Sequence, residues 1–384
     1  MRVGFLLNHD QIHQVAHSVP IAVALARASP GIDVVVATTT AALAAETDRL
    51  IAEAGGAPLR RVELRLRGRL IRAVAPSIDT LVPAVKLGMY RDNLDFFSSL
   101  DALVVAEKTS AILKTRYGLD RLRLIHTRHG AGDRAIGFDR ASALFDHVLV
   151  SGPKIRRRLI AEAGVPAEHI SIVGYPKFDL APGEPHLRFT GNGRPTVVYN
   201  PHPSPHLSSW YTQGRAVLDY FLHSDRYNLI FAPHVMLFHR RLVLTIDRLR
   251  LDRPGRVAPE IYRAPNIHVD LGSRASTDMS YTSAADLYLG DVSSQIYEFL
   301  REPRPALFLN PFAVPWAGNP DYAHWQAGEV IEEVRDLGAA LDRAFVDRSR
   351  FAEVQRRLFA DSFDLTDEPS SHRAARAIRA VLAI

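Results

Sequence analysis

DLAPGEPHLRFTGNGRPTVVYN, residues 179–200, is the stretch on which the fold turns. Residues 179–195 are crowded with proline, glycine and polar side chains and show neither a helical nor a strand period, so they read as an interdomain linker. Residues 196–200 are a short apolar run bounded by turn residues, the pattern of a buried strand. A sheet therefore restarts after the linker, and the chain holds two domains.

The same alternation runs outward in both directions. Before the linker, RVGFLL (2–7), DVVVAT (33–38), ALVVAE (102–107), LRLIHT (122–127), HVLVSG (147–152) and ISIVGY (170–175) are strand candidates. Helical patterns separate them, the first from about Ser18 with Pro20 in its opening turn. After it come TVVYN (196–200), NLIFAP (228–233), NIHVD (266–270), ADLYLGD (285–291) and PALFLN (305–310), with helices expected from about Thr212, His239 and Ser293 and a helical tail from Leu337. Apolar strands alternating with amphipathic helices predict parallel sheets covered on both faces. The expected fold is α/β: two facing Rossmann-like doubly wound domains, 1–182 and 190–350, with a ligand cleft between the carboxyl ends of their strands. Residues 351–384 would be C-terminal helices packing back on the first domain.

Composition narrows the chemistry. With 384 residues, 47% of them hydrophobic and 23% charged, the chain can bury two cores. It has no cysteine, which removes disulfides, thiolate metal sites and cysteine nucleophiles, and fits a cytoplasmic location. No apolar run is long enough to cross a bilayer, and the one at the N-terminus is too short for a secretory segment. The net charge of +5 comes from arginine clusters, notably LRRVELRLRGRLIRAV (59–74) and KIRRRL (154–159). Arg60, Arg61, Arg65, Arg67, Arg69 and Arg72 suit an anionic partner, a peripheral membrane surface among them. No interleaving of basic and aromatic residues points to nucleic acid.

Four segments at expected strand ends carry chemistry. In LRLIHTRHGAGDRAIGF (122–138), His126 and His129 stand three apart, but a metal would need a third ligand that the sequence does not place. His126 reads as structural. His129, followed by the glycines at 130 and 132, reads as a base presented to a ligand. In ADLYLGDVSSQIYEF (285–299), Ser293 and Ser294 either cap a helix or bind an anion at its N-terminus. His234 follows a strand and a proline in IFAPHVMLFH (230–239). His202 lies in the proline-built loop of VVYNPHPSPHLSSWY (197–211), which either binds phosphate or acceptor or is a stiff surface loop. Neither a P-loop nor a dinucleotide GxGxxG follows the first strand.

Taken in order, these motifs resemble the CDP-glycerol glycerophosphotransferase family, the teichoic-acid and capsule polymerase relatives with a GT-B fold. RHGAG (128–132) is similar to its His-Gly motif, APHVM (232–236) to its His-Pro motif, and VGYPKFD (173–179) to its Gly-x-Pro-(Arg/Lys)-x-Asp segment. ADLYLGDVSSQIYEF is similar to its ADxxxTDYSSxxxD/E motif at Ala285, Asp286, Asp291, Ser293 and Ser294. The resemblance spans roughly residues 100–315. The chain departs from it at Ala131-Gly132, Val235, Gly290 and Val292, as a divergent branch would.

The resemblance implies a transferase that moves glycerol phosphate, or a related alcohol phosphate, from a CDP-linked donor to a lipid-linked or glycan acceptor. His129 would be the general base and His234 would hold the diphosphate and help CMP depart. Ser293, Ser294, Asp291, Gly130, His202 and Lys177 would bind nucleotide or diphosphate. No cofactor is required, and a divalent cation is compatible. The alternatives are a nucleotide-sugar glycosyltransferase, a 2-epimerase-like enzyme and a non-catalytic scaffold. Val292-Ser293-Ser294 in place of a Ser-Gly-Gly turn speaks against the epimerase.

Overall fold

The computed structural model describes residues 1–9, 12–66, 84–128, 130–189, 191–239, 242–245 and 250–383. His129, the expected base, lies outside the described residues, as do Arg67, Arg69 and Arg72. The chain divides into two compact units. The first is Met1–Ala131 with Phe138–Ala181 and Asp361–Ile384, and the second is Gly132–Gly137 with Pro182–Ala360.

The first unit holds strands β1 (Arg2–Leu7), β2 (Asp33–Thr38), β3 (Arg60–Glu63), β4 (Ala102–Val105), β5 (Arg123–Thr127), β6 (His147–Val150) and β7 (Ile170–Ile172). They form one sheet in the order β3-β2-β1-β4-β5-β6-β7, every pair parallel. Because helices cover both faces, strands such as β4 are buried at every residue and read as unbroken apolar runs. The helix Val19–Ala28 is buried from Val19 to Ala26, packed beneath the sheet beside the C-terminal helix Ser370–Val381.

β3 is one of the two edge strands, and it falls within the arginine cluster. Arg60 pairs with Asp33, Arg61 with Asp48 and Arg65 with Glu63. Charged side chains on an edge blunt strand addition. The described arginines of the cluster thus each face a carboxylate within their own unit.

The second unit holds β8 (Thr196–Asn200), β9 (Asn228–Phe231), β10 (Val243–Thr245), β11 (Arg250–Asp252), β12 (Ile267–Val269), β13 (Leu287–Gly290), β14 (Ala306–Leu309) and β15 (Glu329–Ile331). Six of these form a parallel sheet in the order β12-β9-β8-β13-β14-β15. β10 and β11 pair with each other in antiparallel fashion, where a helix from about His239 was expected. The β-branched and apolar residues of Val243–Thr245 favour the extended chain over that helix.

Two more expectations shift. The helix beyond β13 is only Gln295–Phe299, shorter than expected and starting after both serines. Of the tail, Ala352–Ala360 stays with the second unit, where Gln355 Nε2 donates to the carbonyls of Arg304 and Ala327 (2.8 and 2.7 Å). The chain rejoins the first unit from Asp361. There Ser151 Oγ donates to the Ser362 carbonyl, and Asp179 accepts from the Ser370 and Ser371 amides, capping the last helix.

Candidate active site

In the second sheet the strand order reverses between β8 and β13. Loops leaving the carboxyl ends of strands at such a point diverge and leave room for a ligand. The residues just past β8, β9 and β13 therefore define the candidate site.

The β13 end supplies its framework. Asp291 is buried, and its Oδ1 accepts from the amides of His202 and Val292 (2.9 and 2.6 Å). Its Oδ2 accepts from the amide and hydroxyl of Ser209 (2.6 and 2.8 Å). Complete burial pushes the carboxyl pKa up, and these four donors oppose the rise. Asp291 is thus a positioning residue that shapes the loop 201–209. Its carboxylate is turned to donors of its own unit, so any part in nucleotide binding would act through the loop it holds.

That loop presents His202. Its Nδ1 accepts from the Ser204 amide (3.1 Å), and the Nδ1 of His234 accepts from the Met236 amide (3.3 Å). Burial pushes both imidazoles down, His234 to about 4, and protonation of His202 is further opposed by the nearby Arg134 guanidinium and by the neighbouring imidazoles, which would repel a second positive charge. Both are neutral at pH 7. With Nδ1 occupied as an acceptor, each ring carries its proton on Nε2. The ring centroids are 6.2 Å apart, so two neutral imidazoles stand side by side just past β8 and β9. Among the described residues, no three His, Asp or Glu side chains gather as a metal site.

The two serines separate. Ser293 is 2% exposed and turned inward, engaged with Tyr288 and with the Gln295 amide (3.4 Å). Ser294 is exposed at the N-cap and makes no capping bond. A five-residue helix has little dipole to offer, so the expected anion cradle reduces to the one exposed hydroxyl. Gly290 has a local cause: a Cβ there would lie 2.5 Å from the buried Tyr288 ring. Lys177, expected near the nucleotide, is 4% exposed within the first unit. Gly130 adopts φ 81°, a left-handed conformation that suits glycine. His126 is buried in the same unit, stacked on Phe145, with Nε2 3.2 Å from the Ala106 carbonyl.

Sequence reasoning missed the network beneath the site. Asp133, in the segment Gly132–Gly137, is buried in the second unit. Its carboxylate accepts from the Tyr297 hydroxyl (2.9 and 2.7 Å) and the His324 amide (3.1 Å), and lies 2.9 Å from His324 Nδ1. His324 Nε2 lies 3.0 Å from the Asp291 carbonyl, to which Trp325 Nε1 also donates (2.6 Å). Arg134 turns to Tyr322, with its guanidinium 3.4 Å from the hydroxyl. A Cβ on Gly132 would sit 3.2 Å from Ser294 Cβ, so the strap of residues 132–137 lies directly against the β13 end.

No protein-family model and no curated protein sequence matches the chain. Solved structures do match in fold. A variant of the wall teichoic acid polymerase TagF soaked with CDPG superposes with a TM-score of 0.62 at 12% identity, over 99% of this chain and 89% of the other. The Staphylococcus aureus MnaA–UDP structure gives 0.60 at 12% identity, over 100% and 97%. UDP-GlcNAc 2-epimerase from Neisseria meningitidis bound to UDP-GlcNAc gives 0.60 at 10% identity, over the whole of both chains. Together with its two doubly wound parallel sheets, these likenesses establish a GT-B type α/β fold for the chain.

Proposed function

We propose that the chain is a transferase that moves glycerol phosphate, or a related alcohol phosphate, from a CDP-linked donor to an acceptor hydroxyl in cell-envelope lipid or polysaccharide synthesis. The observation that carries this reading is the pair of neutral imidazoles, His202 and His234, side by side just past β8 and β9, next to the switch point of the second sheet. The nearest buried carboxylates, Asp291 and Asp133, are turned to internal donors and leave a site that favours an anion.

Phosphoryl transfer depends chiefly on positioning and on stabilising charge at the transferred group and leaving oxygen. Neutral imidazoles supply hydrogen bonds to a diphosphate, and His234 is the group proposed to assist departure of CMP. Ser294 is the hydroxyl available to the same phosphate. His129 is the proposed base that receives the acceptor's proton. A similarity in fold to a polymerase soaked with CDPG supports this choice of donor, and the departure from a Ser-Gly-Gly turn favours it over epimerisation. An acceptor on the inner face of the membrane fits a cytoplasmic enzyme, with the arginine cluster of residues 59–74 as the proposed anionic-lipid contact.

Calorimetry with CDP-glycerol and UDP-GlcNAc tests the reading. CDP-glycerol should bind, and His202→Ala or His234→Ala should weaken it about 10- to 150-fold, from ~1.5–3 kcal/mol per hydrogen bond to a charged group. Binding confined to UDP-GlcNAc would replace this reading with a nucleotide-sugar enzyme.

A further inference from the structure

The imidazoles of His202 and His234 are neutral, so by themselves they offer an anion hydrogen bonds without a compensating charge. A guanidinium is the side chain that matches phosphate oxygens in both charge and geometry. The second unit holds one at this place. Arg134 is half-buried on the strap Gly132–Gly137, which lies against the β13 end at Gly132. Its guanidinium carbon is 5.7 Å from the Tyr322 ring centroid, and its Nη1 is 3.4 Å from the Tyr322 hydroxyl. Tyr322 belongs to the segment Pro320–Ala327, whose His324 reaches the Asp291 carbonyl (3.0 Å). Asp291 in turn holds the His202 amide (2.9 Å). Burial is the main force keeping His202 neutral, followed by the neighbouring His234 and then the Arg134 charge.

The partners of Arg134 leave it available. Among the described residues it forms no ion pair, whereas Arg226 and Arg343 of the same unit pair with Asp342 and Glu329. The adjacent carboxylate, Asp133, is turned to Tyr297 and His324. The Tyr322 hydroxyl takes one N–H at the outer limit of hydrogen bonding, and the ring attracts the cation through its face. Tyr322 therefore orients the fork while most of its N–H donors stay open. A bound anion would supply the counter-charge that the protein does not.

We propose that Arg134 is a phosphate-binding residue, the cation that completes the anion site begun by His202 and His234, with Tyr322 as its positioning residue. The inference rests on the transferase reading only in assigning that phosphate to the diphosphate of the donor. Arg134 then supplies the charge, and the two imidazoles supply neutral hydrogen bonds.

The test is calorimetry on the full-length protein and its Arg134→Gln and Arg134→Lys variants, with inorganic pyrophosphate and CDP-glycerol titrated separately. Pyrophosphate should bind the wild type, and Arg134→Gln should weaken it about tenfold or more, the worth of one hydrogen bond to a charged group. Arg134→Lys keeps the charge without the fork and should fall between the two. Raising the salt from about 0.05 to 0.5 M should narrow the gap between wild type and Arg134→Gln, because a half-exposed charge is screened. The urea midpoint of the ligand-free second unit, read by tryptophan fluorescence, should be the same in all three. Equal pyrophosphate affinity in wild type and Arg134→Gln, no pyrophosphate binding to the wild type, or a loss accompanied by a lowered urea midpoint overturns the proposal. Binding of pyrophosphate through Arg134 with no affinity for CDP-glycerol would sink the donor reading and leave the anion site standing.

Discussion

Substituting Asp133 by asparagine removes one charge from a buried network and almost no volume. The Asp133 and His324 side chains are 0% and 4% exposed, so solvent screening does little to soften the loss. The carboxylate faces donors on every side: the Tyr297 hydroxyl, the His324 amide and His324 Nδ1. An asparagine oxygen can serve part of that set, but its NH2 must then point at another donor. Hydrogen bonds to a charged group are each worth ~1.5–3 kcal/mol, and breaking a buried pair costs about 3–5 kcal/mol. We expect Asp133→Asn to cost about 3 kcal/mol. All three tryptophans, Trp210, Trp316 and Trp325, lie in the second unit, so urea unfolding followed by their fluorescence reports on that unit. With a slope of about 1–3 kcal/mol per molar urea, the midpoint should fall by at least about 1 M. Asp133→Asn and His324→Gln should also couple by about 1 kcal/mol or more in a double-mutant cycle. A cost below about 1 kcal/mol, or strictly additive singles, would refute the reading of these residues as one network.

Further outcomes follow from the same geometry. His234, pushed down to about 4 by burial, should stay neutral on NMR titration until the pH falls well below 6, and a midpoint above 6 would contradict its buried placement. Burial would raise the Glu107 carboxyl, but His9 and the Lys86 ammonium beside it bring it down in the folded state. Its contribution is thus fully present above the unfolded value of 4.5 and is lost as pH falls toward 2. The stability gap between wild type and Glu107→Gln, followed by amide exchange in β1 and β4, should therefore shrink from about 3 kcal/mol at pH 6 toward zero near pH 2. A gap independent of pH would show that the ion pairing is not the cause. Gly290→Ala should cost about 1–3 kcal/mol through overpacking against Tyr288, and the same change made in a Tyr288→Val background should cost much less. Equal destabilisation with and without the second change would remove that explanation.

The alternation of apolar runs made both sheets legible, because a strand buried on both faces must be apolar throughout and thus marks itself locally. Shorter and more polar elements did not mark themselves. β3 is RRVE, whose charges are tolerated only because it is an edge, and β15 is three residues long. His202 and His234 were legible as histidines just past strands, but their tautomers depend on the Ser204 and Met236 amides. Asp291 was recognisable by motif, yet its carboxylate is turned to the backbone of a loop more than eighty residues earlier.

By itself the sequence determined the fold class and the apolar strands of both sheets, since these follow from periodicity and turn residues along the chain. Only the tertiary structure decided that Asp133 joins Tyr297 and His324, separated by 164 and 191 positions, and that His9 meets Glu107. No local pattern encodes such pairs. They arise when the ends of parallel strands, distant along the chain, are brought side by side by the order in which the sheet is wound.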